Sequence, residues 1–194
     1  MSERVGRVER ETKETRVRAV VRLDGTGGAD VKTGIGFLDH MWDAFARFSR
    51  VDVELVCEGD LHVDDHHTAE DCGLAVGGAI DAALGDRAGI RRFGSAYAPL
   101  DEALARVVVD LSGRPFARTE LGLVRSAIGG LACENVGHVM RSFAVAGRMT
   151  LHVDVVEGEN DHHKAEAAFK ALGLAMRDAV GVDGGGVPST KGVL

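Results

Sequence analysis

The sequence predicts an internally duplicated two-layer sandwich of the α/β (α+β) class, each half a small mixed sheet with helices on one face. Two repeated blocks predict it, together with the spacing of the apolar residues between them. The segment Glu14-Thr15-Arg16-Val17-Arg18-Ala19-Val20-Val21-Arg22-Leu23-Asp24-Gly25 recurs as Glu102-Ala103-Leu104-Ala105-Arg106-Val107-Val108-Val109-Asp110-Leu111-Ser112-Gly113. Further on, Asp65-His66-His67-Thr68-Ala69-Glu70 recurs as Asp161-His162-His163-Lys164-Ala165-Glu166. The same order in both copies divides the chain into a first half, 1–88, and a second half, 89–194, that carries a C-terminal tail. The two form one compact unit.

Each element follows from its period. Val17, Ala19, Val21 and Leu23 alternate, as do Ala105, Val107, Val109 and Leu111, so both segments are half-buried strands ended by glycine turns. From Leu38 to Phe48 a helix puts Leu38, Met41, Trp42, Phe45 and Phe48 on one face. Val51 to Cys57 is a strand. The helix that follows the first His-His pair turns Cys72, Ala75, Val76, Ala79, Ile80 and Ala83 inward and stops at Gly85. In the second half a helix spans Val139 to Ala146 and a strand Thr150 to Val156. The last helix carries Ala168, Leu172, Ala175, Met176 and Ala179 inward and ends at Gly181. Glycine at 85 and 181 suits a left-handed helix end. His62 and His152 fall on strand-like stretches and read as ordinary residues.

Composition excludes several classes of function. Of 194 residues, 45% are hydrophobic, enough for a real core. The net charge is −7 and no Lys/Arg block stands out, which argues against nucleic acid and anionic membranes as partners. Met1 to Arg16 is too charged for a signal peptide, and no apolar run reaches the roughly 20 residues of a membrane span. Cys57, Cys72 and Cys133 make no CxxC pair and read as reduced thiols of a cytoplasmic protein.

Chemistry concentrates at the repeated histidines. On a helix, residues i and i+4 share a face and i+3 lies beside it, so Glu70 can meet a cation bound by His66 or His67, and Glu166 one bound by His162 or His163. Adjacent residues diverge by about 100° around the helix, so one pair can address two ions. His40 and His138 stand on apolar-periodic segments of the two halves. Six imidazoles and two carboxylates without thiolate suit an octahedral ion such as Mn²⁺, with positions left for substrate. Arg91, Arg92, Arg114, Lys170 and Lys191 lie near glycine or proline turns and suit a phosphate. A dinuclear enzyme acting on a small phosphorylated anion fits these residues. A dinuclear hydrolase and a metal-storing shell remain open at this point.

Six motifs carry a resemblance. Phe37-Leu38-Asp39-His40-Met41, Asp65 to Asp71, Pro99-Leu100-Asp101-Glu102-Ala103, Asp110-Leu111-Ser112-Gly113-Arg114-Pro115, Asp161 to Glu166 and Pro188-Ser189-Thr190-Lys191-Gly192 resemble the signatures of imidazoleglycerol-phosphate dehydratases. The match runs from Arg10-Glu11-Thr12-Lys13-Glu14-Thr15 to the last residue. It departs at Phe48-Ser49, where many members have His-Gly, and at Trp42 and Ala44. The resemblance implies dehydration of imidazoleglycerol phosphate to imidazole-acetol phosphate in histidine biosynthesis. It implies two Mn²⁺ per active site, held by His40, His66, His67, Glu70, His138, His162, His163 and Glu166. Glu14, with Glu70 and Glu166, is a candidate catalytic carboxylate. Glu14, Arg92, Arg114, Lys170, Ser189 and Lys191 are candidate substrate contacts. Finally, it implies self-association into a 24-subunit shell with sites at subunit interfaces.

Overall fold

A computed structural model describes residues 3–192 and 194 of the chain. The first half runs β1 (Val5–Glu11), β2 (Thr15–Arg22), β3 (Ala29–Lys32), α1 (Gly36–Ser49), β4 (Asp52–Gly59) and α2 (His66–Leu84). The second runs β5 (Phe93–Leu100), β6 (Ala103–Asp110), β7 (Phe116–Glu120), a small hairpin of β8 (Ala127–Ile128) and β9 (Leu131–Ala132), α3 (Cys133–Ala146), β10 (Thr150–Glu157) and α4 (Asp161–Ala179). Strand order is β1-β2-β4-β3 in one sheet and β5-β6-β10-β7 in the other. In each, the first three strands are antiparallel neighbours and the fourth joins in parallel. The alternating segments at Val17 and Ala105 are thus the second strands of two equivalent mixed sheets, and the chain is a duplicated fold.

The helices cover one face of each sheet. Helix α2 packs on β1 and β2, and α4 packs on β5 and β6, while α1 meets α4 and α2 meets α3 across the two halves. The four helices therefore lie between the sheets, and the outer sheet faces carry exposed charges such as Glu9, Arg18 and Arg106. Close helix-on-sheet contact depends on Gly6 and Gly94, the second residues of β1 and β5. A Cβ at Gly6 would sit 1.8 Å from the Ala79 carbonyl oxygen, and one at Gly94 would sit 1.9 Å from that of Ala175. At the centre, Trp42 and Phe45 of α1, Phe143 of α3 and Phe169 of α4 are fully buried, with the Trp42 ring 5.5–5.8 Å from the other three. Edge-on and tilted aromatic contacts at these distances add to the hydrophobic gain and bind the halves to each other.

Several sequence expectations change. Strand β1 lies in the charged N-terminal run; only Gly6 on it is buried, so no hydrophobic alternation announces it. In β5 the large residues Phe93 and Tyr97 point outward, which hides its period. Helix α4 ends at Ala179, and Val180 caps it in a right-handed conformation, so Gly181 needs no left-handed geometry. Gly85 has a positive φ of 56° but a ψ of −124°, so it ends α2 outside the left-handed helical conformation expected of it. Phe48 is half-buried rather than core, and His62 lies in the turn after β4, not on a strand.

Candidate metal centre

Helix α2 begins at His66, whose N–H donates to Asp64 Oδ1 at 2.8 Å, and Asp65 Oδ2 accepts the Ala132 N–H at 2.6 Å. Helix α4 begins after Asn160, whose Oδ1 accepts from the N–H groups of His162 and His163. Asp161 Oδ2 accepts the N–H groups of Val124 and Arg125 at 2.8 and 2.7 Å. In both halves an aspartate at the helix start thus ties the His-His turn to a segment of the second half. Side chains that fill unpaired helical N–H groups fix where the first turn starts, and so fix the phase of the histidines.

That phase builds two triads. His162 Nε2 and His40 Nε2 each lie 3.1 Å from Glu166 Oε2. His66, Glu70 and His138 form the second group, with His138 Nε2 3.3 Å from Glu70 Oε1. In each group the three donor atoms lie within 4.8 Å of one another. Of the alternatives left by the spacing, the first histidine of each pair meets the glutamate. Each triad draws on both halves: His40 of α1 reaches α4, and His138 of α3 reaches α2. The His66 and His138 rings stack at 4.8 Å, and Phe37 lies edge-on against His162 at 5.0 Å.

The second histidines turn away from the triads. His67 Nδ1 lies 3.0 Å from Asp60 Oδ2, with its Nε2 3.7 Å from Glu14 Oε1. His163 Nδ1 lies 2.7 Å from Glu102 Oε2, with its Nε2 3.9 Å from Asp101 Oδ2. The hydrogen bonds to Asp60 and Glu102 raise the pKa of His67 and His163 respectively. Bonds from the Asn160 backbone, with the His163 imidazole next, bring the Glu102 carboxyl down to about 2. Burial pushes Glu166 up, but Lys170, 2.8 Å away, and His40 outweigh it and bring that carboxyl to about 2.

The donor set fits a divalent cation. His138 Nε2 is buried and, although 3.3 Å from Glu70 Oε1, is not aligned for a hydrogen bond with it or with any other described residue, as expected of a lone pair reserved for an ion. Each triad is two imidazoles and a carboxylate, a set suited to Mn, Fe, Co, Ni or Zn. The three cysteines are free and buried.

The cationic candidates are divided. Arg92 grips Asp110 through two bonds of 2.6 and 3.0 Å and donates to the Pro188 carbonyl at 2.8 Å, which ties it to the tail of Ser189 and Lys191. Lys170 Nζ lies 2.8 Å from Glu166 Oε1, beside one triad. Arg91 pairs with Asp183 and Asp178. Among the described residues, the guanidinium of Arg114 meets only the Ser112 carbonyl. Lys191 is exposed. Sequence reasoning passed over Asp60, Asn135, Asp110 and the role of Glu102. Asn135 Oδ1 lies 3.1 Å from His66 Nδ1, a contact between helices that spacing does not report. Glu102 was findable, because it aligns with Glu14 in the repeat.

Residues 33–176 match the family model of imidazoleglycerol-phosphate dehydratase. The chain is 54% identical to the imidazoleglycerol-phosphate dehydratase of Chlorobium luteolum, over 96% of this chain and 94% of that one. It is 57% identical to the enzyme of that name from Phytophthora nicotianae, over 98% of this chain, which spans 42% of that longer protein. A crystal structure of the Pyrococcus furiosus IGPD superposes with a TM-score of 0.83 at 37% identity, covering 96% of this chain and all of that one. With its two His₂Glu groups set on equivalent helices of a duplicated fold, the chain belongs to the imidazoleglycerol-phosphate dehydratase family.

Proposed function

We propose that this chain performs the family's dehydration of imidazoleglycerol phosphate with two manganese ions, one in each cross-half triad. The single observation that carries the proposal is the pair of equivalent groups, His40–His162–Glu166 and His66–Glu70–His138, on a chain of this family. Because each triad takes donors from both halves, 1–88 and 89–194 act as one unit. Three donors leave an octahedral ion with open positions. His67 and His163, turned outward on fixed rings, would fill one each in neighbouring copies, consistent with a closed 24-subunit shell whose sites lie between subunits.

In the reaction, the hydroxyl beside the imidazole ring leaves, a proton leaves the neighbouring carbon, and the enol product tautomerises to imidazole-acetol phosphate. A bound divalent ion supplies Lewis-acid charge at the ring, which lowers the cost of removing a proton that is not acidic. Glu14, exposed at the end of the β1–β2 hairpin and 3.7 Å from His67 Nε2, would carry that proton. Glu70 and Glu166 would hold the ions, with Glu166 kept ionised by Lys170. Arg92, Arg114, Ser189 and Lys191 would grip the phosphate, Arg92 also anchoring the tail through Pro188. Lys170, paired with Glu166, would also contact the substrate from its place beside that triad. No helix among the described residues is long and apolar enough to cross a membrane.

The test is turnover of imidazoleglycerol phosphate by metal-stripped protein, with and without added Mn²⁺. Imidazole-acetol phosphate formed only with metal is the expected product. Release of inorganic phosphate instead would identify a hydrolase, and metal-independent turnover would remove the ions from the mechanism.

A further inference from the structure

Glu14 and Glu102 hold the same place in the duplicated hairpin, one residue before β2 and β6, yet they meet opposite sides of their histidines. Glu102 Oε2 takes the Nδ1 side of His163 at 2.7 Å, while its Oε1 accepts the N–H groups of Glu159 and Asn160 at 3.1 and 2.8 Å. It is fully engaged. Glu14 faces the Nε2 side of His67 at 3.7 Å and is half exposed, with no hydrogen bond on its carboxylate among the described residues. In the first half the Nδ1 side is taken by Asp60, whose two oxygens lie 3.2 and 3.0 Å from His67 Nδ1.

The connections explain the exchange. The first half joins β4 to α2 through residues 60–65, and its first residue supplies the carboxylate. The second joins β10 to α4 through the shorter Gly158–Asn160, which sends no carboxylate to His163. Asp60 is itself anchored: its N–H donates to the Glu14 carbonyl at 3.0 Å, so the two carboxylates leave one point of the sheet toward the two nitrogens of one ring. An ionised carboxylate only accepts, so the proton of a neutral His67 must sit on Nδ1 and the lone pair on Nε2.

We propose that Asp60 is a positioning residue that fixes the ring and tautomer of His67, so that Glu14 is left free for chemistry, whereas in the second half Glu102 is committed to orienting His163. The inference rests on the reading of His67 and His163 as manganese ligands through Nε2. The duplicated halves have thereby divided the labour of one hairpin glutamate: one copy supports a ligand and the other reaches the substrate.

The test is Mn²⁺ titration of metal-stripped protein, following free Mn²⁺ by its electron paramagnetic resonance signal, without reference to turnover. Loss of a carboxylate behind a ligating histidine weakens metal binding about 10- to 100-fold, and Asp60→Ala and Glu102→Ala are expected in that range. Asp60→Asn keeps an acceptor oxygen for Nδ1–H and is expected between the parent and Asp60→Ala. Glu14→Ala, at the same hairpin position as Glu102, is expected to bind Mn²⁺ like the parent. Parent-like affinity in Asp60→Ala overturns the proposal, as does an Asp60→Asn protein as weak as Asp60→Ala, or a Glu14→Ala protein as weak as Glu102→Ala. A parent protein that binds no Mn²⁺ overturns the metal reading beneath it and is distinguished from these outcomes at once.

Discussion

Lys170 Nζ donates to Glu166 Oε1 at 2.8 Å from one turn further along α4, and it leaves Oε2 to His40 and His162. Burial alone would push the Glu166 carboxyl up; the lysine is the first of the groups that bring it down to about 2. With the ammonium removed, His40 alone is left to oppose burial, so the carboxyl rises from about 2 and protons would compete with a bound metal at higher pH. Lys170→Met is therefore expected to keep Mn²⁺ binding near neutral pH and to lose it on the acid side well before the parent does. Mn²⁺ affinity measured at several pH values in both proteins checks this, and superposable acid limbs would contradict it.

Glu14→Gln is expected to lower kcat by roughly 10²–10⁴-fold, the usual contribution of a positioned acid or base, with manganese content unchanged. Glutamine keeps the size of the side chain and cannot carry the proton. Steady-state kinetics beside elemental analysis separates the two effects. A near-normal kcat would return Glu14 to the run of surface charges around it.

Lys191→Ala is expected to lower kcat/KM about 10- to 100-fold, mainly through KM, because a charge-assisted contact contributes about 1.5–3 kcal/mol and phosphate is held alike in ground and transition states. Inorganic phosphate should compete with substrate in the parent and much less in the variant. Unchanged kinetics and unchanged phosphate inhibition would leave Pro188 to Gly192 as a tail held by Arg92 and nothing more.

Asp161 and Lys164 form a buried ion pair at 3.1 Å, and Lys164 also donates to the Gly122 carbonyl. Breaking a buried pair leaves one charge uncompensated, so Asp161→Asn is expected to cost about 3–5 kcal/mol. Burial pushes the Asp161 carboxyl up, but the Arg125 and Val124 N–H groups and Lys164 hold it below its usual range. A lowered folded pKa gives stability that is present above the ordinary carboxylate value near 4 and is lost as pH falls through the folded value. Urea unfolding should therefore show the parent's advantage over Asp161→Asn near neutral pH and its loss in strong acid.

The repeat made much of this legible. It located β2 and β6, α2 and α4, and the first histidine and the glutamate of each triad, because alternation and helical spacing are local properties; His67 and His163, named as ligands beside them, lie outside both triads. The choice of His66 over His67 as the partner of Glu70 was not legible, since it depends on where α3 lies against α2. Asp60, Asn135 and Asp110 act across the fold and carry no periodic signal. Lys170 shows a limit of another kind: its neighbouring glycines and the family resemblance suggested a substrate contact, while its i,i+4 spacing to Glu166 went unread.

Manganese stoichiometry tests the central claim most directly, because His138 reaches its triad from the opposite half and its Nε2 has no other partner among the described residues. Elemental analysis after equilibration with limiting free Mn²⁺ is expected to give about two ions per chain in the parent and about one in His138→Ala, the His40–His162–Glu166 site remaining filled. Equal manganese in the two proteins would contradict a metal centre at His66, Glu70 and His138, and with it the account of two cross-half sites.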